Sequence, residues 1–321
     1  MSDPAAPDAA QPEARVAVGA VEARAARSPS SAAALLRALR PHQWIKNVFV
    51  AAPLVFAQKL GEPVAVLRSA LAMLAFCALS GAVYVFNDVR DVELDRQHPT
   101  KRYRPIAAGE LPERAALIAS GLLAAGALAG CLVLDVELAA IAALYLIQNI
   151  AYTVRLKRVA FIDVMLIASG FLLRVLAGAV VIDVPTSRWL LLCTALLALL
   201  LGFGKRAHEL AWATRNGQTT ETRAALAGYR LDVLRVVLLV QAVATCAAFV
   251  AYTRDERTIR EFGTDRLLYS APFVAFGILR FLLLALGSRK PESPTEAMLK
   301  DPWFLADLVG AVAVVLFAIY G

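Results

Sequence analysis

Residues 65–95 read AVLRSALAMLAFCALSGAVYVFNDVRDVELD. The first part is an apolar run long enough to cross the hydrocarbon core of a bilayer as a helix, and the end turns abruptly acidic. A lipid-compatible span therefore delivers the chain to water at Asn87, Asp88, Asp91 and Asp95. Spacings of three and four put all three carboxylates on one face if the helix continues through them.

The same apolar pattern repeats on either side. Windows of about 20 residues recur at 44–60, 65–87, 113–134, 137–154, 162–182, 187–204, 232–252, 267–287 and 303–320, which predicts nine spans. With 59% hydrophobic and 18% charged residues, the 321-residue chain is too apolar for a soluble domain. Backbone amides in lipid must be paired within helices or a closed barrel, and a barrel would show alternating ten-residue segments. The predicted class is an all-α integral membrane protein. Residues 32–321 form a single transmembrane domain behind a disordered tail, 1–31, rich in Ala, Pro and charge and without the apolar core of a secretory signal. The four cysteines fall singly inside apolar runs, with no CxxC pair, and suggest neither disulfides nor zinc.

The formal charge of +7, from 33 basic and 26 acidic residues, raises nucleic acid as a partner, but topology accounts for it. Assigning the tail and every second loop to one side gathers most of the Lys and Arg there. By the positive-inside rule that side, with the amino terminus, is cytoplasmic, and the carboxy terminus is periplasmic. No nucleic acid is expected.

The cytoplasmic loops carry the chemistry. Three acids at helical spacing repel one another unless something positive sits among them. Hard oxygen ligands with room for water suit Mg²⁺, which takes one or two carboxylates and completes its shell with substrate phosphates. The plain alternative is a solvated helix end with Arg90 and Arg96 as local partners. Downstream, DRQHPTKRYRPIAAGEL (95–111) places Lys101, Arg102 and Arg104 before Pro105 as a cationic lid suited to a diphosphate; retention for topology alone is the rival reading. Between spans 4 and 5, Tyr152, Arg155, Lys157, Arg158 and Asp163 form a second cluster, read as phosphate contacts with Asp163 orienting a cation or sharing a metal. Lys205, Arg206, His208 and Glu209 form a third, with snorkelling anchors as the alternative. Lys46, at the start of span 1, reaches towards the same anionic site. Arg174 lies too deep in span 5 to snorkel out and must face a polar interior; contact with a lipid phosphate and satisfaction of a neighbouring carbonyl stay open.

NDVRDVELD and DRQHPTKRYRPIAAG over nine spans resemble the UbiA superfamily of intramembrane prenyltransferases. RPHQWIKNVFVAAP (40–53), HPTKRYRPIAAGEL (98–111), DVMLIASGFLLRVLAG (163–178) and GFGKRAHEL (202–210) resemble more narrowly its actinobacterial branch that transfers phosphoribose to decaprenyl phosphate. The resemblance implies a UbiA-like bundle with cytoplasmic loop caps in the bacterial plasma membrane, serving cell-wall arabinogalactan synthesis. It implies Mg²⁺ held by Asp88, Asp91 and Asp95. Phosphoribosyl pyrophosphate is held by Lys46, Asn87, Lys101, Arg104, Tyr152, Lys157, Arg158, Asp163, Lys205 and Arg206, and a polyprenyl phosphate enters from the bilayer. Asp88, Asp91, Lys46 and Arg104 are the expected catalytic residues, and a homotrimer is weakly suggested. The family's first aspartate motif maps onto Asn87, Asp88, Asp91 and Asp95, whereas its second carboxylate pair is missing after span 4, where Tyr152, Lys157, Arg158 and Asp163 stand. An aromatic prenyltransferase using a prenyl diphosphate is the nearest alternative, and a lipid or ion transporter a more distant one.

Overall fold

The structure is a computed structural model that describes residues 31–215, 226–287 and 292–321; the tail read at 1–31 lies outside the described residues but for Ser31. Eight helical stretches are long and apolar enough to span a membrane. They are α3 (Pro63–Arg90), α5 (Glu113–Leu134), α6 (Val136–Val154), α7 (Ile162–Val181), α8 (Arg188–Arg215), α9 (Leu231–Arg254), a 3₁₀ turn Arg266–Ser270 running into α11 (Ala271–Gly287), and α13 (Pro302–Tyr320). Short elements connect them: α1 (Ser31–Ala38), α2 (Ala52–Phe56), α4 (Val92–Gln97), α10 (Glu256–Phe262) and α12 (Pro294–Met298). No strand occurs among the described residues.

The ninth predicted span, 44–60, does not form as a continuous helix. Residues Pro41–Val50 are 3₁₀, α2 adds five residues, and Gln58 has φ 58°. Ten 3₁₀ residues are unusual, because the geometry is poorer than α and side chains eclipse. Pro41 and Pro53 lack amide donors, and Arg40 enters at φ 54°. Irregular backbone at membrane depth is tolerated where protein covers it, and here Asn47 and Val50 are fully buried against α3 and α7. Gly178 makes that approach possible: a Cβ on it would stand 1.9 Å from the Val50 carbonyl oxygen.

One interior cluster joins Val50, Leu54, Phe76, Leu79, Leu138, Ala142, Tyr145 and Leu173 from the 3₁₀ segment, α2, α3, α6 and α7. A second joins Val164, Leu200, Phe203, Leu234, Leu238 and Phe281 from α7, α8, α9 and α11. With lipid outside as apolar as the core, close fit rather than water exclusion holds such helices together. Gly202 and Gly204 on α8 accordingly lie where a Cβ would meet Val164 and Phe281 at 2.7 and 2.3 Å. A third cluster, Ala34, Ala38, Val85, Val92, Ile106, Leu111 and Ala116, packs α1 and the 98–111 loop over one end of the bundle.

All the charged loops named above meet at that end. Lys157 reaches Asp91, Arg206 reaches Asp163, and Arg37 pairs with Glu110. The far end is tied by Arg68 donating to the Leu134 carbonyl at 3.1 Å and the Tyr320 hydroxyl to the Val55 carbonyl at 3.0 Å. Ser31 and Tyr320 therefore belong to opposite ends.

Candidate functional site

The helix does not continue unbroken through 87–95. α3 ends at Arg90, and Asp91 adopts φ −100°, ψ 9° before α4 begins at Val92. Backbone bonds from Asp91 to Asn87 and from Asp95 to Asp91 continue across the break at 2.9 and 2.8 Å, so the chain bends without unravelling. The bend divides the acids. Asp88 and Asp95 turn inward, each 2% exposed, while Asp91 faces the turn Leu156–Arg158.

Each acid has a cation. The Asp88 Oδ1 accepts from Arg40 at 2.5 Å and from Arg104 at 3.1 Å. The same Arg104 nitrogen donates to Asp95 Oδ2 at 2.5 Å. Lys157 Nζ stands 2.8 and 2.7 Å from the two Asp91 oxygens and 3.2 Å from the Asn87 side-chain oxygen, while Asn87 Nδ2 donates to Asp91 at 3.1 Å. Burial pushes the Asp95 carboxyl up, with Arg104 and then Lys101 pulling it back. The expected repulsion is thus relieved by three cations drawn from widely separated sequence. The reading anticipated two of them, Arg104 and Lys157, and missed Arg40. Its signal was available: three acids in one place require three compensating charges, and Arg40 opens the motif that carries Lys46.

Among the described residues, no group of three or more His, Cys, Asp or Glu side chains is arranged to hold a metal. A protein-only cage of Asp88, Asp91 and Asp95 is therefore not assembled, because the bend at Asp91 and the intervening Arg104 and Lys157 separate the acids. The donor chemistry nonetheless fits a divalent ion that takes one or two carboxylates and finishes its shell with phosphate and water. A phosphate can accept the displaced cations as the ion takes the carboxylates.

The second cluster is arranged differently. Asp163, fully buried at the start of α7, accepts from Arg206 Nε at 2.5 Å and from the Tyr229 hydroxyl at 2.6 Å. That hydroxyl in turn accepts from the Phe161 amide at 2.7 Å, holding Phe161 at φ 65°. Burial and the Asp163 bond both lift the Tyr229 phenol well above its ordinary value. Arg206 also meets Glu209 at 2.5 Å and the Tyr152 hydroxyl at 3.4 Å. Asp163, Arg206 and Tyr152 are therefore engaged with one another, and the geometry assigns them the shape of the 155–161 turn that presents Lys157. Lys205 is half-buried next to Arg206, and Arg158 is exposed on the turn that carries Lys157. Lys101 sits near enough to Asp95 to act on its charge.

Deeper in the bundle, Arg174 donates to Asn47, to the Gly170 carbonyl and to the Tyr145 hydroxyl. Asn47 and Tyr145 had no signal in the sequence as partners, since Asn47 is 127 positions from Arg174. Cys77 and Cys131 are buried, Cys193 and Cys246 half-buried, all with free thiols.

Comparison with known proteins agrees with this architecture. A decaprenyl-phosphate phosphoribosyltransferase of Mycolicibacterium smegmatis is 38% identical over 280 residues, covering 83% of this chain and 86% of its own. One of Corynebacterium glutamicum is 34% identical over 310 residues, covering 94% and 92%. Among solved structures, a UbiA homolog from Archaeoglobus fulgidus bound to GPP and Mg²⁺ superposes with a TM-score of 0.67 at 16% identity, over 90% of this chain and all of that one. The same homolog bound to Cd²⁺ gives 0.64; at that identity the likeness concerns the fold. The model of the UbiA prenyltransferase family matches residues 47–300, and the chain belongs to that family.

Proposed function

We propose that the protein transfers the 5-phosphoribosyl group of phosphoribosyl pyrophosphate to a polyprenyl phosphate, decaprenyl phosphate by preference, releasing pyrophosphate. The observation that carries the proposal is the relationship to proteins of that name at 34–38% identity over most of both chains. The ion-paired mouth supplies a chemical route. Asp88 and Asp91 would hold the divalent ion, taken as Mg²⁺, with Asp95 adjoining through Arg104. When bound, that ion neutralises charge on the departing diphosphate.

The chain's own cations do the rest. Arg104 and Lys157 exchange carboxylate partners for diphosphate oxygens, and Lys101 and Arg158 extend the grip at the mouth. Lys46 approaches from the irregular segment. The acceptor's phosphate oxygen attacks the anomeric carbon as the bond to pyrophosphate breaks. A phosphate monoester is already anionic near neutral pH, so no general base is needed. Positioning and charge stabilisation carry the rate. The charged end faces the cytoplasm, where the water-soluble donor resides, and the carboxy terminus faces the periplasm. Any trimer belongs to the same proposal and is read by light scattering of the purified protein.

Labelled phosphoribosyl pyrophosphate incubated with purified protein, Mg²⁺ and decaprenyl phosphate should yield a lipid-linked phosphoribose. No such product, alongside prenylation of an aromatic acid from a prenyl diphosphate, would transfer the assignment to the other branch of the family. Reporter fusions after residue 321 check the orientation.

A further inference from the structure

The ion pairs at the mouth leave Arg174 unexplained. It lies on α7 eleven residues beyond Asp163, about 16 Å by helical rise, and is 7% exposed. Its Nε donates to Asn47 at 2.7 Å, one terminal nitrogen to the Gly170 carbonyl at 2.9 Å, and the other to the Tyr145 hydroxyl at 2.8 Å. The guanidinium carbon stands 4.7 Å from the Tyr145 ring centre and 5.5 Å from that of Phe171. Every partner is neutral. Among the described residues no carboxylate reaches it, and two of the five guanidinium N–H groups have no acceptor.

Lys46 adjoins it. This lysine is half-buried and makes no side-chain hydrogen bond or ion pair among the described residues. Its ammonium is repelled by Arg174 and Arg40 and attracted by Glu296. An unneutralised charge at this depth is costly, and a second cation beside it adds repulsion. A structural role would not require that: glutamine could satisfy the Asn47 and Tyr145 oxygens without a charge. The arrangement becomes favourable when an anion enters. Asn47 is itself fixed, donating to Ser80 at 3.3 Å and to the Cys77 sulfur at 3.2 Å, so the guanidinium plane is set before any ligand arrives.

We propose that Arg174 and Lys46, oriented by Asn47 and Tyr145, form an interior subsite for a phosphomonoester, distinct from the carboxylate-lined mouth. The inference rests on the proposed transfer and deepens it. Both substrates of that reaction carry such a group: the head of the lipid acceptor and the 5-phosphate of the donor. Seated on this pair, either would be held at the inner side of the reacting carbon while the diphosphate stays at the mouth.

The test is equilibrium binding to the purified full-length protein in nanodiscs, without turnover. The probes are farnesyl phosphate, farnesol and ribose 5-phosphate, against wild type, Arg174→Gln, Arg174→Lys and Lys46→Gln. Charge-assisted phosphate bonds of ordinary strength predict binding weakened by about 10- to 100-fold in Arg174→Gln and Lys46→Gln, with part restored in Arg174→Lys and farnesol unaffected. If farnesyl phosphate responds, the subsite takes the acceptor; if ribose 5-phosphate responds, it takes the donor. Should neither respond, the subsite does not exist. Should Arg174→Gln not fold, Lys46→Gln decides alone. That substitution breaks no hydrogen bond or ion pair among the described residues, so a purely structural Arg174 predicts unchanged binding and a raised melting temperature, and that pair of results overturns the proposal. A protein that binds phosphomonoester through this pair yet makes no lipid-linked phosphoribose retains the subsite and loses the reaction; normal transfer by Arg174→Gln does the reverse.

Discussion

Adding one methyl group at Gly178 should disable the enzyme from a distance. The Cβ of Gly178→Ala would stand 1.9 Å from the Val50 carbonyl oxygen and 2.8 Å from its carbon. α7 and the Pro41–Val50 segment must then separate by on the order of 1 Å, and the obstructing atom is backbone, which cannot rotate away as a side chain can. Overpacking of this kind costs about 1–3 kcal/mol, here at the upper end; alanine's better helix propensity returns about 1 kcal/mol. A net loss of about 2 kcal/mol lowers the melting temperature by roughly 5 °C for a chain of this size. Activity should fall further, because Lys46 and Asn47 ride on the displaced segment, and a misplacement of about 1 Å near the chemistry costs on the order of 100-fold. Gly121→Ala, Gly126→Ala and Gly130→Ala on α5 have nothing within 4 Å of the new methyl and serve as controls with unchanged or slightly raised stability. Melting of the detergent-purified protein and initial rates of lipid-linked phosphoribose formation measure both effects. Wild-type melting and rate in Gly178→Ala would refute the close approach on which the placement of Lys46 depends.

Four further outcomes follow from the ion pairs. Asp163→Asn removes one of the two carboxylates that hold the buried Arg206, Glu209 staying at 2.5 Å, and should destabilise by about 1–3 kcal/mol; Tyr229→Phe, removing bonds to Asp163 and Phe161, should cost about as much, and thermal melts of the two variants measure both. Asp91→Asn should lower transfer by at least about 100-fold with little change in melting, since its pair with Lys157 is partly exposed, while Asp88→Asn should lose both activity and stability because two arginines converge on that buried oxygen. Chelation of divalent ions should abolish transfer and leave the melting temperature within about 2 °C, because the carboxylates already have cation partners. Burial holds the Asp95 carboxyl above its ordinary value of 3.8, so folding takes up a proton there: its favourable contribution is complete below that value and lost as pH rises through the raised one. Asp95→Asn should therefore be no less stable than wild type at pH 7 and lose any advantage near pH 4, as melts across that range would record.

Much of this architecture was legible because a membrane reduces the problem to length and polarity. Eight apolar runs became eight long helices, seven with ends within a few residues of their expected positions, since lipid leaves the backbone no other way to pair; the run at 187–204 continues as helix eleven residues further, to Arg215, because helix does not stop where hydropathy does. The exception, 44–60, was misread for the same reason. Hydropathy sees only that Val48, Phe49 and Val50 are greasy, and cannot see that α7 approaches so closely at Gly178 that one face of a 3₁₀ segment, Asn47 and Val50, is covered by protein instead of lipid.

The site was legible in composition and not in pairing. Asp88, Asp91, Asp95, Arg104 and Lys157 were singled out by local charge density, which survives in the sequence. The bend at Asp91 that sends two acids inward and one towards Lys157 depends on partners 9 to 66 positions away, and local spacing carries no trace of them. Asp163 shows the converse case. As a carboxylate among cations it reads as a contact for substrate or metal, and the structure gives each of its oxygens one buried donor. A charge in a cluster is free for chemistry only when its partners can be exchanged. By that criterion the proposed reactive end is the mouth, with its half-exposed Arg104 and Lys157, and the Asp163–Arg206 pair frames the Lys157 turn beside it.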